Sequence, residues 1–198
     1  MKILHVVNSL DPGGMENGVV NMARALEPRG FEMHVACLER RGAFAERLPH
    51  PERVTVLGKA GGFSPRAALR LAGEISRLRP DAIHSHNLGA LIYASLATAG
   101  GRRAALLQGE HSQLTADELT PRRLRQRRWL YRACRAVHTV AHPMRDELLA
   151  LGFSACARCA ISSSRNAREN PPRRQFARPR RHGKRRRQHG PRAGAARL

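Results

Sequence analysis

KILHVVNSLDPGGMENGVVNMARAL, residues 2–26, holds one complete strand–turn–helix unit. Lys2 to Asn8 is a short apolar run rich in β-branched residues, the pattern of a strand buried on both faces. Asp11-Pro-Gly-Gly is a turn cluster. From Glu16 onward, Val19, Met22, Ala23 and Leu26 recur at i, i+3, i+4 and i+7, which is one face of a helix. Pro28 and Gly30 end it.

Outward from this unit the same alternation continues. Met33 to Leu38 and Val54 to Leu57 read as strands, with a short helical turn between them around Ala43 to Leu48. Ser64-Pro65 is an N-cap followed by Pro at the first helical position. Ala68, Leu71, Ala72, Ile75 and Leu78 form the apolar face of that helix, and Pro80 stops it. Asp81 to His86 is a strand, Leu88 to Ala99 a small-residue helix, and Ala104 to Gln108 a strand. Thr120-Pro121 opens a helix to about Arg135, Ala136 to Ala141 is a strand, and Pro143 to Leu151 is a helix closed by Gly152. Strand and helix alternate six times. Parallel strands need helical crossovers, so the expectation is an α/β fold: a Rossmann-like, doubly wound, mostly parallel sheet over residues 1–157.

The charge divides the chain at the same place. The 198 residues carry a formal net charge of +21. Residues 1–157 hold 22 basic and 14 acidic side chains, whereas residues 158–198 hold 14 basic and one acidic. A tail of Arg, Pro, Gly, His and Ser cannot bury enough apolar surface to offset the entropy of ordering it, so 158–198 is expected to be disordered. No apolar run approaches the roughly 18 residues of a membrane-crossing helix. Ile3 to Val7 is too short for the core of a cleavable signal peptide. Four cysteines, Cys37, Cys134, Cys156 and Cys159, are too few for a disulfide scaffold, and a reducing cytoplasm is expected. Cys156 and Cys159 form one CxxC without the second pair that a structural zinc requires.

In an open α/β sheet, ligands bind beyond the carboxyl ends of the strands. Gly13 and Gly14 follow the first strand, where a bare backbone and a helix N-terminus suit a phosphate. An ordinary tight turn would use the same residues. His84 and His86 share a strand face and Asn87 follows them; two histidines without a third ligand do not make a metal site, and none is expected. Gly109, Glu110 and His111 follow the fifth strand, an apt set for a polyhydroxylated ligand. G-x-G-x-x-G and the P-loop are absent, although Glu39 ends the second strand where a ribose-binding acid would sit. The helix from Arg122 to Arg135 interleaves arginines with Trp129 and Tyr131, which fits either a solvated basic face or a protein peripheral at an anionic membrane.

Taken in order, the opening segment, LRPDAIHSHN (78–87), LLQGEH (106–111) and RRWLYRACRAVHTVAHPMRDELLALGF (127–153) resemble the amino-terminal domain of family 4 (group 1) glycosyltransferases, closest to those of bacterial exopolysaccharide systems. The resemblance covers about residues 1–155. It implies one lobe of a two-lobed GT-B enzyme that retains anomeric configuration and uses no metal or other cofactor. The implied partners are a nucleotide-sugar donor and a glycan or lipid-linked acceptor. By this resemblance His111 acts at the reacting centre, Gly13 and Gly14 approach the donor, and Asn17, His86, Asn87 and Glu110 line the acceptor side. The family's second lobe has no counterpart in this sequence, so the chain is expected to be nearly inactive alone, and the tail has the composition of a frameshifted reading. The competing expectation is a binding module whose basic tail holds nucleic acid or anionic membrane without sequence preference.

Overall fold

The computed structural model describes residues 1–101, 104–153 and 160–163. Seven strands form one sheet: β1 (Lys2–Val7), β2 (Glu32–Cys37), β3 (Val54–Val56), β4 (Ala82–His86), β5 (Ala105–Glu110), β6 (Ala136–Thr139) and β7 (Ala160–Ser163). Their order is β3-β2-β1-β4-β5-β6-β7, and every neighbouring pair is parallel. Helices α1 (Gly14–Leu26), α2 (Pro65–Leu78), α3 (Asn87–Thr98), α4 (Pro121–Tyr131) and α5 (His142–Ala150) connect them. The doubly wound α/β architecture read from the sequence is the fold of the protein.

The side chains explain the layering. Leu4 and Val6 of β1 and Ile83 of β4 pack with Leu71 and Ile75 of α2, Leu91 and Ala94 of α3, Leu130 of α4 and Leu148 of α5. Val7 points the other way and packs with Val19, Val20 and Ala23 of α1 and with Met33, Val35 and Cys37 of β2. Strand alternation therefore puts His5, like Val7, on the α1 face. Ser64 caps α2 as expected, its hydroxyl accepting from the Ala67 N–H at 3.3 Å, with Pro65 in the first turn. Connections run leftward from β1 to β2 and β3, then return through α2 to β4 on the other side of β1. The switch point lies between β1 and β4, the place where such sheets open a ligand crevice.

The short helical turn read around Ala43 to Leu48 is a 3-10 helix, Ala43–Arg47. The structure corrects the sequence reading in three places. β5 runs two residues further than read: Gly109 pairs with His86 of β4 and Glu110 with Thr139 of β6, and the Glu110 charge is neutralised by Arg127 of α4. α4 ends at Tyr131, four residues short of Arg135, and one of its arginines is fully buried rather than solvated. The sheet does not stop before residue 158: β7 pairs with β6 in the register Ala136↔Ala160 to Thr139↔Ser163. The remainder of the tail, 164–198, and the CxxC at 156 and 159 lie outside the described residues.

Candidate functional site

The carboxyl ends of β1, β4 and β5 meet. α1 begins at Gly14 with Gly13 as its N-cap, and no side chain caps that end. Its first amides are therefore without a side-chain acceptor. A Cβ added at Gly14 would meet nothing within 4 Å, so the space beside it is open. At Gly13 a Cβ would run into the Glu16 carboxylate, which folds back over the turn. This contact is local, between the N-cap and the third residue of α1.

Asn87 joins the three exits. It begins α3 at φ 64°, a left-handed conformation that asparagine tolerates better than most residues. Its side-chain oxygen accepts from the His111 backbone N–H at 3.3 Å, and its amide nitrogen reaches Met15 Sδ, in the first turn of α1, at 3.7 Å. Asn87 thus draws the start of α1, next to Gly13 and Gly14, and His111 together at the switch-point end of the sheet, and His86 lies buried directly behind His111. Asn17 is half-buried one helical turn in, with its oxygen engaged by Arg47 Nη2 at 3.0 Å, which holds it toward the Ala43–Arg47 turn.

The loop before α1 is braced from the segment that follows β2. Phe44 donates its backbone N–H to the Leu10 carbonyl at 2.8 Å, and Leu10 donates to the Arg41 carbonyl at 3.2 Å. Gly42 sits between at φ 74°, and a Cβ there would collide with the Leu10 and Asp11 backbone. The glycine is required by both conformation and close approach.

Glu110 is elsewhere. It was expected to line the acceptor side, but it is 4% exposed and turned to the α2–α5 side of the sheet. Its Oε1 accepts from Arg127 Nη1 at 2.6 Å, Tyr131 Oη at 2.6 Å and Gln108 Nε2 at 3.0 Å. Arg127, fully buried, also binds Glu118 at 2.9 Å. Burial works against the Arg127 charge, but the Glu110 carboxylate outweighs it and the guanidinium is held above its usual range. Burial and the adjacent carboxylate likewise push the Tyr131 phenol up. This network is structural, and it removes one arginine from the basic helix face. Glu39, for its part, pairs with Lys59 at 2.9 Å.

Beside the first turn of α3 opens a cavity of about 690 Å³, lined among others by Lys59, Phe63, Leu88, Tyr93, Asp117 and Arg123. Phe63 is 60% exposed and stacks on Tyr93 at 5.5 Å between ring centroids. An exposed aromatic flanked by an ammonium and a carboxylate presents both an apolar platform and hydrogen-bonding groups, the combination that small-ligand pockets use. Phe63 and Lys59 carried no motif in the sequence.

Five imidazoles lie behind the crevice. His5 Nδ1 contacts His86 Nε2 at 2.9 Å, His86 Nδ1 contacts His111 Nε2 at 2.9 Å, and His84 Nε2 contacts His138 Nε2 at 2.8 Å. His5 opposes His84 in the β1–β4 register, and His86, Gly109 and His138 lie in one row across β4, β5 and β6. Gly109 makes room for the rings: a Cβ there would come within 2.8 Å of His111 Nε2 and 2.9 Å of His138 Nε2. Burial, reinforced by repulsion from His138, lowers the His5 and His111 imidazoles to about 4. Burial holds His84 and His86 well below the usual histidine range, and lowers His138 as well. At neutral pH the bundle is uncharged. The His111 imidazole is therefore neutral at that pH.

A single parallel α/β layer with its ligand crevice at the β1–β4 switch point is the architecture of a Rossmann-like lobe. Residues 12–161 match Glycosyltransferase Family 4, and the chain belongs to that family. Among curated proteins the sequence has no match. HepE of Anabaena, solved in complex with UDP, superposes with a TM-score of 0.63 at 21% identity, covering 81% of this chain and 43% of that one. A glycosyltransferase from Rickettsia africae gives 0.60 at 16% identity, covering 81% and 42%. UDP-GlcNAc 2-epimerase from Methanocaldococcus jannaschii gives 0.55 at 14%, covering 78% and 43%. The chain thus spans less than half the length of these proteins, and the likeness to them establishes the fold. Among the described residues no helix is long and apolar enough to cross a membrane.

Proposed function

We propose that this chain is the acceptor-side lobe of a retaining glycosyltransferase that moves a sugar from a nucleotide donor to a glycan or lipid-linked acceptor in the cytoplasm, as in exopolysaccharide assembly. The observation that carries the reading is the convergence of the uncapped α1 N-terminus, Asn87 and His111 on one crevice. Glycosyl transfer passes through an oxocarbenium-like state while the departing diphosphate gains charge. N–H groups and a positive helix end directed at that charge lower the barrier. A neutral imidazole beside the anomeric carbon can hydrogen-bond sugar hydroxyls without opposing the positive charge that develops there. Glu16, next to Gly13, suits sugar hydroxyls better than phosphate, which favours the open side at Gly14 for the diphosphate. The Phe63–Tyr93 cavity offers the acceptor a stacking surface. No metal or cofactor enters this scheme; the nucleotide-sugar is a substrate.

With one wall of the donor cleft in hand, transfer by this chain alone is expected to be close to background. Calorimetric titration of the full chain with nucleotide-sugars tests the reading, run against inorganic pyrophosphate at matched salt to subtract generic attraction to the basic tail. Binding that exceeds the pyrophosphate signal and is lost in His111→Ala supports it. Equal heats for both ligands, unchanged by the substitution, contradict it and leave the polycationic binding module as the better account.

A further inference from the structure

The histidine pair of β4 lacks a third ligand in the sequence, and the fold supplies one from β1. We propose that His5, His84 and His86 form a binding site for one divalent transition-metal ion of the zinc class, with His111 and His138 as hydrogen-bond acceptors behind two of the ligands. One ring nitrogen from each of the three lies within 4.8 Å of the others, and all three side chains are buried. Zinc–imidazole bonds of about 2.0–2.1 Å in a tetrahedral site set ligand nitrogens roughly 3.4 Å apart. The rings reach that spacing by shifts of about an ångström or less, and the 2.9 Å contact between His5 and His86 opens by roughly half an ångström.

Two further observations favour a metal. The donor set is purely imidazole, which suits zinc, cobalt, nickel and copper rather than magnesium or calcium. The outer contacts are those that metal-bound histidines make: His86 binding through Nε2 leaves Nδ1–H to donate to His111, and His84 binding through Nδ1 leaves Nε2–H to donate to His138. An ion reaches the site past His111 and His138, which are half-buried where the other three rings are closed off. As a consequence, the proton of neutral His111 resides on Nδ1, since Nε2 accepts from His86.

The test uses the full chain, stripped with a chelator, and a background variant in which Cys156, Cys159, His182 and His189 are replaced to remove other soft donors. Both are titrated with Co²⁺, then with Zn²⁺ in competition. The expected result is one equivalent of Co²⁺ with the intense visible bands of four-coordinate geometry, displaced by Zn²⁺, and lost in His84→Ala and His86→Ala. His138→Ala weakens binding by about 10- to 100-fold, and His34→Ala leaves it unchanged. X-ray absorption of the zinc-loaded unsubstituted chain keeps the question open to refutation if the variants misfold: it must show three imidazole nitrogens at about 2.0 Å. Absence of stoichiometric binding, binding that survives His84→Ala in a folded protein, or a first shell with sulfur or fewer than three imidazoles overturns the proposal.

Discussion

Replacing Arg127 with methionine separates a buried ionic network from a solvated basic helix. In the structure Arg127 is wholly buried and binds Glu110 at 2.6 Å, Glu118 at 2.9 Å and Tyr131 at 3.1 Å. Methionine fills similar volume but leaves the Glu110 carboxylate without a countercharge. Removing one partner of a buried pair costs about 3–5 kcal/mol. Glu110 keeps its hydrogen bonds from Tyr131 and Gln108, which places the expected loss near the lower end, about 3 kcal/mol. For a domain of this size that corresponds to a fall in Tm of roughly 6–12 °C. Urea denaturation followed by far-ultraviolet circular dichroism measures it, with Arg125→Met, on the exposed side of the same helix, expected to change stability by no more than about 0.5 kcal/mol. Adding Glu110→Gln to Arg127→Met should recover part of the loss, because the orphaned charge is then gone. A loss under about 1 kcal/mol, typical of surface pairs, would refute the burial argument.

Gly14→Ala should fold at least as well as the parent, gaining up to about 1 kcal/mol from helix propensity, while weakening nucleotide-sugar binding in calorimetry; the space its methyl enters is open in the protein and needed by the ligand. Gly42→Ala should lose about 1–3 kcal/mol in thermal melts, since it combines φ 74° with a collision against the Leu10–Asp11 backbone. Stability should also fall with acid. The unfolded chain protonates its histidines near 6.5, whereas folded His5 resists to about 4, so its contribution is complete above pH 6.5 and lost as pH drops toward 4. For His5 alone that is about 3 kcal/mol, and denaturation midpoints at pH 7.5, 6 and 5 should decline steadily. A flat profile across that range would show that the imidazoles are not buried as a neutral group.

The fold was legible because each element carried its own local signal: β-branched runs for strands, 3.6-residue spacing for α1 and α2, Ser64-Pro65 and Thr120-Pro121 at helix starts. The crevice was legible in outline, since Gly13, Gly14, Asn87 and His111 stand at strand exits whose convergence is a property of parallel sheets. What was hidden depends on pairs distant in the chain. Glu110 looked like an exposed loop acid until Arg127 of α4 met it on the same face of the sheet. His5 looked like one more strand residue, and only the β1–β4 register sets it against His84 and His86. Phe63 and Lys59 had no neighbours in sequence to mark a pocket. Beyond residue 157 the loss of hydrophobic periodicity was real, yet Ala160–Ser163 still pairs with β6, because an edge strand of four residues needs little more than a neighbour with free backbone groups.

The account stands on the carboxyl edge of β1, β4 and β5 being a single wall for a sugar donor. Amide chemical-shift mapping of the isotopically labelled chain during titration with a nucleotide-sugar tests this most directly. The prediction is that the largest shifts fall at Gly13, Gly14, Asn87 and His111. Shifts confined to residues 164–198, or to the opposite edge at Lys2, Glu32 and Asp81, would contradict it.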